Sequence, residues 1–189
     1  MKIKTDKIYS PNFNPKKRKL SQIKYIIIHY TGMVNERKAI EKLTNIQSEV
    51  ACHYFIKTNG GIIKMVPELY SAWHAGRSYW KNLKSLNKDS LGIEISNPGH
   101  NFGYKNFKKN QITSLINLIK LMKKKFKIKS ENILGHSDIS PKRKKDPGEK
   151  FPWKLLAKKK LAIWHKVSDK TLKAKRGLKC NTLEIQQFK

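Results

Sequence analysis

Apolar positions in this chain fall into short β-branched runs and one long helical stripe, divided by polar segments rich in turn-forming residues. Tyr25-Ile26-Ile27-Ile28 is continuously apolar and reads as a strand buried on both faces, ending at His29-Tyr30-Thr31-Gly32. Ala39, Ile40 and Leu43 share one face of a helix predicted over residues 35–46. Residues 51–56 and 62–66 flank Thr58-Asn59-Gly60-Gly61; Asn-Gly supplies the positive φ of a tight turn, so the two runs predict a hairpin. Residues 91–96 alternate, with Leu91, Ile93 and Ile95 on one face and Glu94 on the other, and Asn97-Pro98-Gly99 closes that strand. Ile112, Leu115, Ile116, Ile119 and Met122 recur at helical spacing over 110–126. A short strand at 132–134 and a last helix over 153–163 complete the pattern.

The remaining segments carry no clean period. Residues 1–20, with Pro11, Pro15 and the run Lys16-Lys17-Arg18-Lys19, read as an irregular arm; residues 77–89 read as a surface excursion, and 166–189 as a basic, lysine-rich tail. The domain proper is then 21–165. The elements alternate without a strict βαβ rhythm, and the hairpin demands an antiparallel pair. The expected fold is therefore α/β, a single domain with a central mixed sheet and helices packed on it.

Composition narrows the function classes. Of 189 residues, 38% are hydrophobic and 29% charged, and no apolar run approaches the about 18 residues of a membrane span. No membrane partner is expected. The first residues lack an apolar core followed by a small-residue cleavage site, from which we expect no secretory signal and a cytoplasmic protein. Cys52 and Cys180 lie far apart, without metal or redox spacing, as suits a reducing compartment; Cys52 is expected to be buried. The 42 Lys and Arg against 13 Asp and Glu give a net charge of +29, which first suggests a polyanion partner. The excess is nearly all lysine, spread among many isoleucines and asparagines, and the arginines that dominate base and phosphate readout are confined to Arg18, Arg37, Arg77, Arg143 and Arg176. A specific nucleic-acid partner is not expected.

The segment 135–148, from Gly135-His136-Ser137-Asp138 to Asp146-Pro147-Gly148, places His136, Lys144 and Asp146 among turn-forming residues. Proline and glycine are expected to deny it helix or strand and to make it a shaped loop. His29 and His136 each follow a short apolar strand, and a sheet whose strand ends share one rim would bring them together. With Asp146 they make a sensible His/His/Asp site for Zn²⁺, although the spacing alone leaves zinc only plausible and Asp146 could equally be a turn residue. Glu94 interrupts an apolar strand, so it faces either water or a site. His53, inside a strand, reads as a satisfied structural histidine; His100 and His165 read as solvent-exposed.

Taken in order, the blocks His29-Tyr30-Thr31-Gly32, His53-Tyr54, Ala72-Trp73-His74-Ala75-Gly76, Leu91-Gly92-Ile93-Glu94-Ile95, Gly135-His136-Ser137-Asp138, Arg143-Lys144-x-Asp146-Pro147-Gly148 and Phe151-Pro152-Trp153 resemble the zinc-dependent N-acetylmuramoyl-L-alanine amidases of the AmpD type, over about residues 9–164. The resemblance implies the AmpD-like, peptidoglycan-recognition fold and one Zn²⁺ held by His29, His136 and Asp146, with water at the fourth position. It implies Glu94 as the residue that activates that water and Lys144 as the cation beside the developing oxyanion. Tyr30, Trp73, His74 and Ala75 would line the substrate groove. The bond cut would join N-acetylmuramic acid, in its 1,6-anhydro form, to L-alanine of the stem peptide, during wall recycling or turnover by a monomer. The alternatives are an exported wall hydrolase or phage endolysin of the same family, or a silent peptidoglycan-recognition module. Muropeptide carboxylates would also give the basic surface a partner.

Overall fold

The β-branched runs and the helical stripe meet as a sheet and the helix that covers it. In a computed structural model of the protein, the described residues are 3–165, 167, 168 and 171; the expected tail at 166–189 otherwise lies outside them. In chain order the elements are strands β1 (Asp6–Lys7), β2 (Phe13–Asn14) and β3 (Tyr25–Tyr30), helix α1 (Glu36–Thr44), strands β4 (Tyr54–Ile56), β5 (Ile62–Lys64), β6 (Ser71–Ala72), β7 (Tyr79–Trp80), β8 (Leu83–Lys84) and β9 (Ser90–Ile95), helix α2 (Lys109–Phe126), strand β10 (Ile133–Gly135), and helices α3 (His136–Ile139) and α4 (Trp153–Lys158). Six strands form one sheet in the order β1-β5-β4-β9-β3-β10. The β4–β5 hairpin is antiparallel, and the other pairings in this sheet are parallel, which makes it the mixed sheet expected. Its turn uses Gly60 at φ 90°, a conformation glycine adopts without a steric penalty.

Alternation along the strands sorts the two faces. Ile26 and Ile28 of β3 and Leu91, Ile93 and Ile95 of β9 pack in one cluster with Ile112, Leu115, Ile116, Ile119, Met122 and Phe126 of α2. Tyr25 and Ile27 point the other way, into a cluster with Ala75, Leu86, Leu134 and Ile139, and α1 covers Phe55 and Ile63 with Ala39 and Leu43. Asn35 starts α1 by accepting the Lys38 N–H at its side-chain oxygen. One face of β3 and β9 is thus sealed by α2, and the opposite face, where the odd-numbered residues of β3 continue to His29, is left for chemistry.

Four expectations are corrected. Residues 6–18 are no irregular arm: β1 pairs with β5, β2 pairs with β6, and Asn12 is fully buried. Arg18, from the basic run, is buried and donates to the carbonyls of Glu68, Asn87 and Lys88. Residues 77–89 do run along the surface, with Leu86 alone buried, but they are not irregular throughout, since they contain the β7–β8 pair. The last helix stops at Lys158 because Lys160 takes φ 58°, which turns Leu161 and Ala162 into the core. The segment 135–148 is not free of regular structure, since α3 forms one turn directly after β10.

His53 is the satisfied structural histidine expected. Its Nδ1 accepts the Gly92 N–H at 2.9 Å and its Nε2 lies 3.0 Å from the Tyr70 carbonyl. Burial, followed by the Arg18 charge, lowers its pKa to about 3. Above the unfolded-state value of about 6.5 His53 is neutral in both states. Below it, the unfolded chain takes a proton that the folded chain refuses, so stability falls with acidification by up to about 1.4 kcal/mol per pH unit. His53→Gln should flatten the acid limb by about one proton between about pH 6 and 4, read as urea midpoints in the presence of a chelator. An unchanged slope would refute this account of His53.

Candidate metal centre

Register in the parallel part of the sheet assembles the site. His29 on β3 is the direct neighbour of Glu94 on β9, and Ile28 is level with Gly135, the last residue of β10. Neighbours in register on parallel strands point to the same face, so Glu94 stands beside His29 and His136 follows at the same rim. The chain then returns: Ser140 O accepts the N–H groups of Arg143 and Lys144, and Ser137 N–H donates to the Asp146 carbonyl at 2.8 Å. That last bond brings Asp146 alongside His136.

Three donor atoms converge there. Nδ1 of His29 and Nδ1 of His136 are 2.9 Å apart, and each lies 3.0 Å from Oδ2 of Asp146. All three residues are buried. The second nitrogen of each ring is also engaged: His136 Nε2 lies 3.1 Å from the Ala75 carbonyl, to which it can only donate, and His29 Nε2 lies 3.1 Å from His74 Nδ1. With its proton on Nε2, His136 presents a bare Nδ1. Burial, reinforced by neighbouring His136, lowers the pKa of His29 to about 4, so it is neutral at pH 7. Burial raises the Asp146 carboxyl, but its contacts with His136 and His29 outweigh this and hold it well below the usual range. Ring lone pairs and a carboxylate pressed this close repel one another unless a cation lies among them. Their spacing is near the roughly 3.3 Å edge of a tetrahedral site with donors about 2.0–2.1 Å from the ion. The donor set therefore fits a divalent metal of the zinc class.

Glu94 adds a reactive carboxyl. Its Oε2 is buried with no hydrogen-bond partner, an exposed liability in a core and a usable base beside a metal. Burial, then the Asp146 charge, push its pKa up to about 8, while Lys144 and Lys42 oppose the rise. His29, His136, Asp146, Glu94 and Lys144 all border one cavity of about 400 Å³. The geometry thus brings together all five residues singled out for metal and catalysis.

The four expected groove residues divide. Tyr30 and His74 border the cavity. Ala75 is fully buried, with its carbonyl taken by His136 and by Arg143 at 3.0 Å, so it offers no groove surface, while Trp73 is exposed beyond the cavity lining. His74 lies inward, against the His29 ring, with Nε2 3.1 Å from Ser90 Oγ. His100 is not set apart in solvent: its Nδ1 is 2.8 Å from the Tyr30 hydroxyl, its Nε2 is 3.0 Å from Glu149, and it borders the cavity. His165 is half-buried against Trp164. Arg143 was passed over in the sequence because its role is contact with the carbonyls of Ala75 and Arg77, which no local pattern announces.

A mixed-sheet domain that gathers two histidines and one aspartate at the carboxyl rim of its parallel strands could hold a metal ion there, and similarity to known proteins supplies the family. A sequence profile described as N-acetylmuramoyl-L-alanine amidase matches residues 19–149, and the chain belongs to that family. It is 39% identical over 155 residues to the N-acetylmuramoyl-L-alanine amidase AmiD of Escherichia coli K12, covering 76% of this chain and 55% of that one. It is 32% identical over 164 residues to the 1,6-anhydro-N-acetylmuramyl-L-alanine amidase AmpD of Haemophilus influenzae, covering 77% and 86%. A solved structure of the E. coli AmiD, in complex with anhydro-N-acetylmuramic acid-L-Ala-D-gamma-Glu-L-Lys, superposes with a TM-score of 0.74 at 31% identity, covering 92% of this chain and 72% of that one. The chain thus spans little more than half the length of the E. coli relative it matches in sequence.

The donor set makes a direct prediction. Titration of the chelator-treated protein should show one Zn²⁺ bound and a rise in unfolding free energy of about 2.7 kcal/mol at a hundredfold excess over Kd. His136→Ala should abolish both. Equal zinc stabilisation of wild type and variant would reject the site.

Proposed function

We propose that the protein is a zinc amidase that hydrolyses the amide between N-acetylmuramic acid, in its 1,6-anhydro form, and the L-alanine of peptidoglycan stem peptides. The observation that carries this reading is the placement of Glu94 in register with His29, so that an unpartnered carboxyl borders the same cavity as the three metal donors. The similarity to a relative solved with an anhydro-muropeptide supports the substrate class. Setting a silent recognition module aside, the chain retains every group that the chemistry asks for.

His29, His136 and Asp146 would hold the ion, which when bound supplies Lewis acidity toward the amide carbonyl and makes water more acidic. Glu94 takes the proton from the attacking water. Oxygen bonds to the lactyl carbonyl carbon, and Glu94 delivers that proton to the alanine nitrogen as the C–N bond breaks. The products are a free carboxylic acid and a peptide with a free α-amine, and Glu94 ends as it began. Lys144, whose charge is felt by both Glu94 and His29, stabilises the negative charge that builds on the carbonyl oxygen. Tyr30 borders the cavity as a substrate contact. A cytoplasmic, wall-recycling setting is part of the proposal and is tested by cell fractionation.

Glu94→Gln should lower kcat by about 10²–10⁴-fold, and Lys144→Met by about 10²–10³-fold, with zinc content unchanged. The assay is mass analysis of the peptide released from 1,6-anhydro-muropeptides, run beside intact sacculi. Wild-type turnover by Glu94→Gln would overturn the mechanism, and faster release from sacculi would redirect the substrate to the polymeric wall.

A further inference from the structure

His74 is buried, and both of its ring nitrogens are occupied. Nδ1 lies 3.1 Å from His29 Nε2 and Nε2 lies 3.1 Å from Ser90 Oγ, while the Ser90 hydroxyl donates to the Leu86 carbonyl at 2.6 Å. One set of proton positions satisfies every bond in this chain. A carbonyl only accepts, so the single hydroxyl proton of Ser90 goes to Leu86. Ser90 Oγ must then accept the proton on His74 Nε2, which leaves His74 Nδ1 bare in a neutral ring. His74 Nδ1 in turn accepts from His29 Nε2–H, and His29 Nδ1, the atom in the donor triangle, is left with its lone pair free.

We propose that His74 is a positioning residue, anchored through Ser90 to the Leu86 carbonyl, that presents His29 to the metal as the Nε2–H tautomer. Two further observations carry the argument. A Cβ at Gly92 would stand 2.4 Å from His74 Cγ, so the space for this ring is kept by the absence of a side chain on β9. Asn87 Oδ1 accepts the backbone N–H of both His74 and Ala75, at 3.1 and 2.8 Å, and Ala75 is the residue whose carbonyl engages His136 Nε2. Consecutive residues, clamped by one side chain, therefore orient the two metal-facing histidines, one through a ring and one through a carbonyl. Partners of this kind set ligand orientation and basicity and are worth about 10–100-fold in metal affinity.

The proposal rests on the metal reading, so its test has an arm that needs no metal. Long-range ¹H–¹⁵N spectra of the metal-free protein report which nitrogen of His29 carries the proton; the wild type should show Nε2–H alone. In His74→Leu, which removes the acceptor, Nδ1–H should become populated and zinc affinity should fall about 10–100-fold. His74→Asn places an amide oxygen at the Nδ1 position and should stay within about threefold of wild type. Ser90→Ala lets the His74 proton relocate and should weaken zinc by about tenfold, and it decides the matter if His74→Leu does not fold. A folded His74→Leu or Ser90→Ala with wild-type affinity and an unchanged His29 tautomer would overturn the proposal. A wild type that binds no zinc would overturn the metal reading instead, and the tautomer spectra would still decide the role of His74.

Discussion

The lone pairs of two imidazoles and one carboxylate, held 2.9–3.0 Å from one another in a buried setting, are the constraint on which the rest of the structure depends. Left alone they repel, and burial removes the water that would screen them. A fold that keeps them together must hold each ring from behind and reserve the space between them for a cation. The Ala75 carbonyl holds His136, His74 holds His29, and the Ser137 N–H bond to the Asp146 carbonyl fastens the returning loop. The same field acts on Glu94, whose carboxyl is destabilised as an anion by burial and by Asp146 and is rescued in part by lysine. A divalent cation among the three donors would add positive charge beside that carboxyl and favour the ionised form that a general base needs near neutral pH.

The architecture supplies this arrangement with few parts. Three adjacent parallel strands, β9, β3 and β10, end at one rim, and their register alone aligns Glu94, His29 and His136. The α2 face of those strands carries the apolar packing, and each Ile or Leu buried there contributes about 1.5–3 kcal/mol. That stability lets the opposite face tolerate unpaired charge. Arg18 does related work away from the cavity: its guanidinium ties the amino-terminal strands to the carbonyls of Glu68, Asn87 and Lys88. Since Asn87 and Ser90 both reach His74, that clamp sits one step from the metal-facing histidines.

Much of this was legible in the sequence, and the boundary falls where local pattern stops. Alternation in 91–96 put Glu94 on the face opposite Leu91, Ile93 and Ile95, and a carboxyl amid β-branched residues announced itself. The helix of 110–126 and the Asn-Gly hairpin followed from periodicity and turn chemistry. His29, His136 and Asp146 were legible as possible ligands, but their convergence depends on a strand register that spans more than a hundred residues. Arg18 stood in the sequence only as part of a basic run in an irregular arm, because its acceptors are backbone carbonyls, which have no residue signature. Ala75 and His74 shared a motif that pointed to the groove, yet one gives its carbonyl to His136 and the other its ring to His29. Only the bare Gly92 beneath His74 hinted at that, and a glycine in a strand has several readings.

The most direct test of the central claim is X-ray absorption at the zinc edge of the metal-loaded protein. The account predicts a first shell of nitrogen and oxygen at about 2.0–2.1 Å, four atoms in all, with the outer-shell scattering of two imidazoles. A shell containing sulfur near about 2.3 Å, or one lacking imidazole scattering, would contradict it.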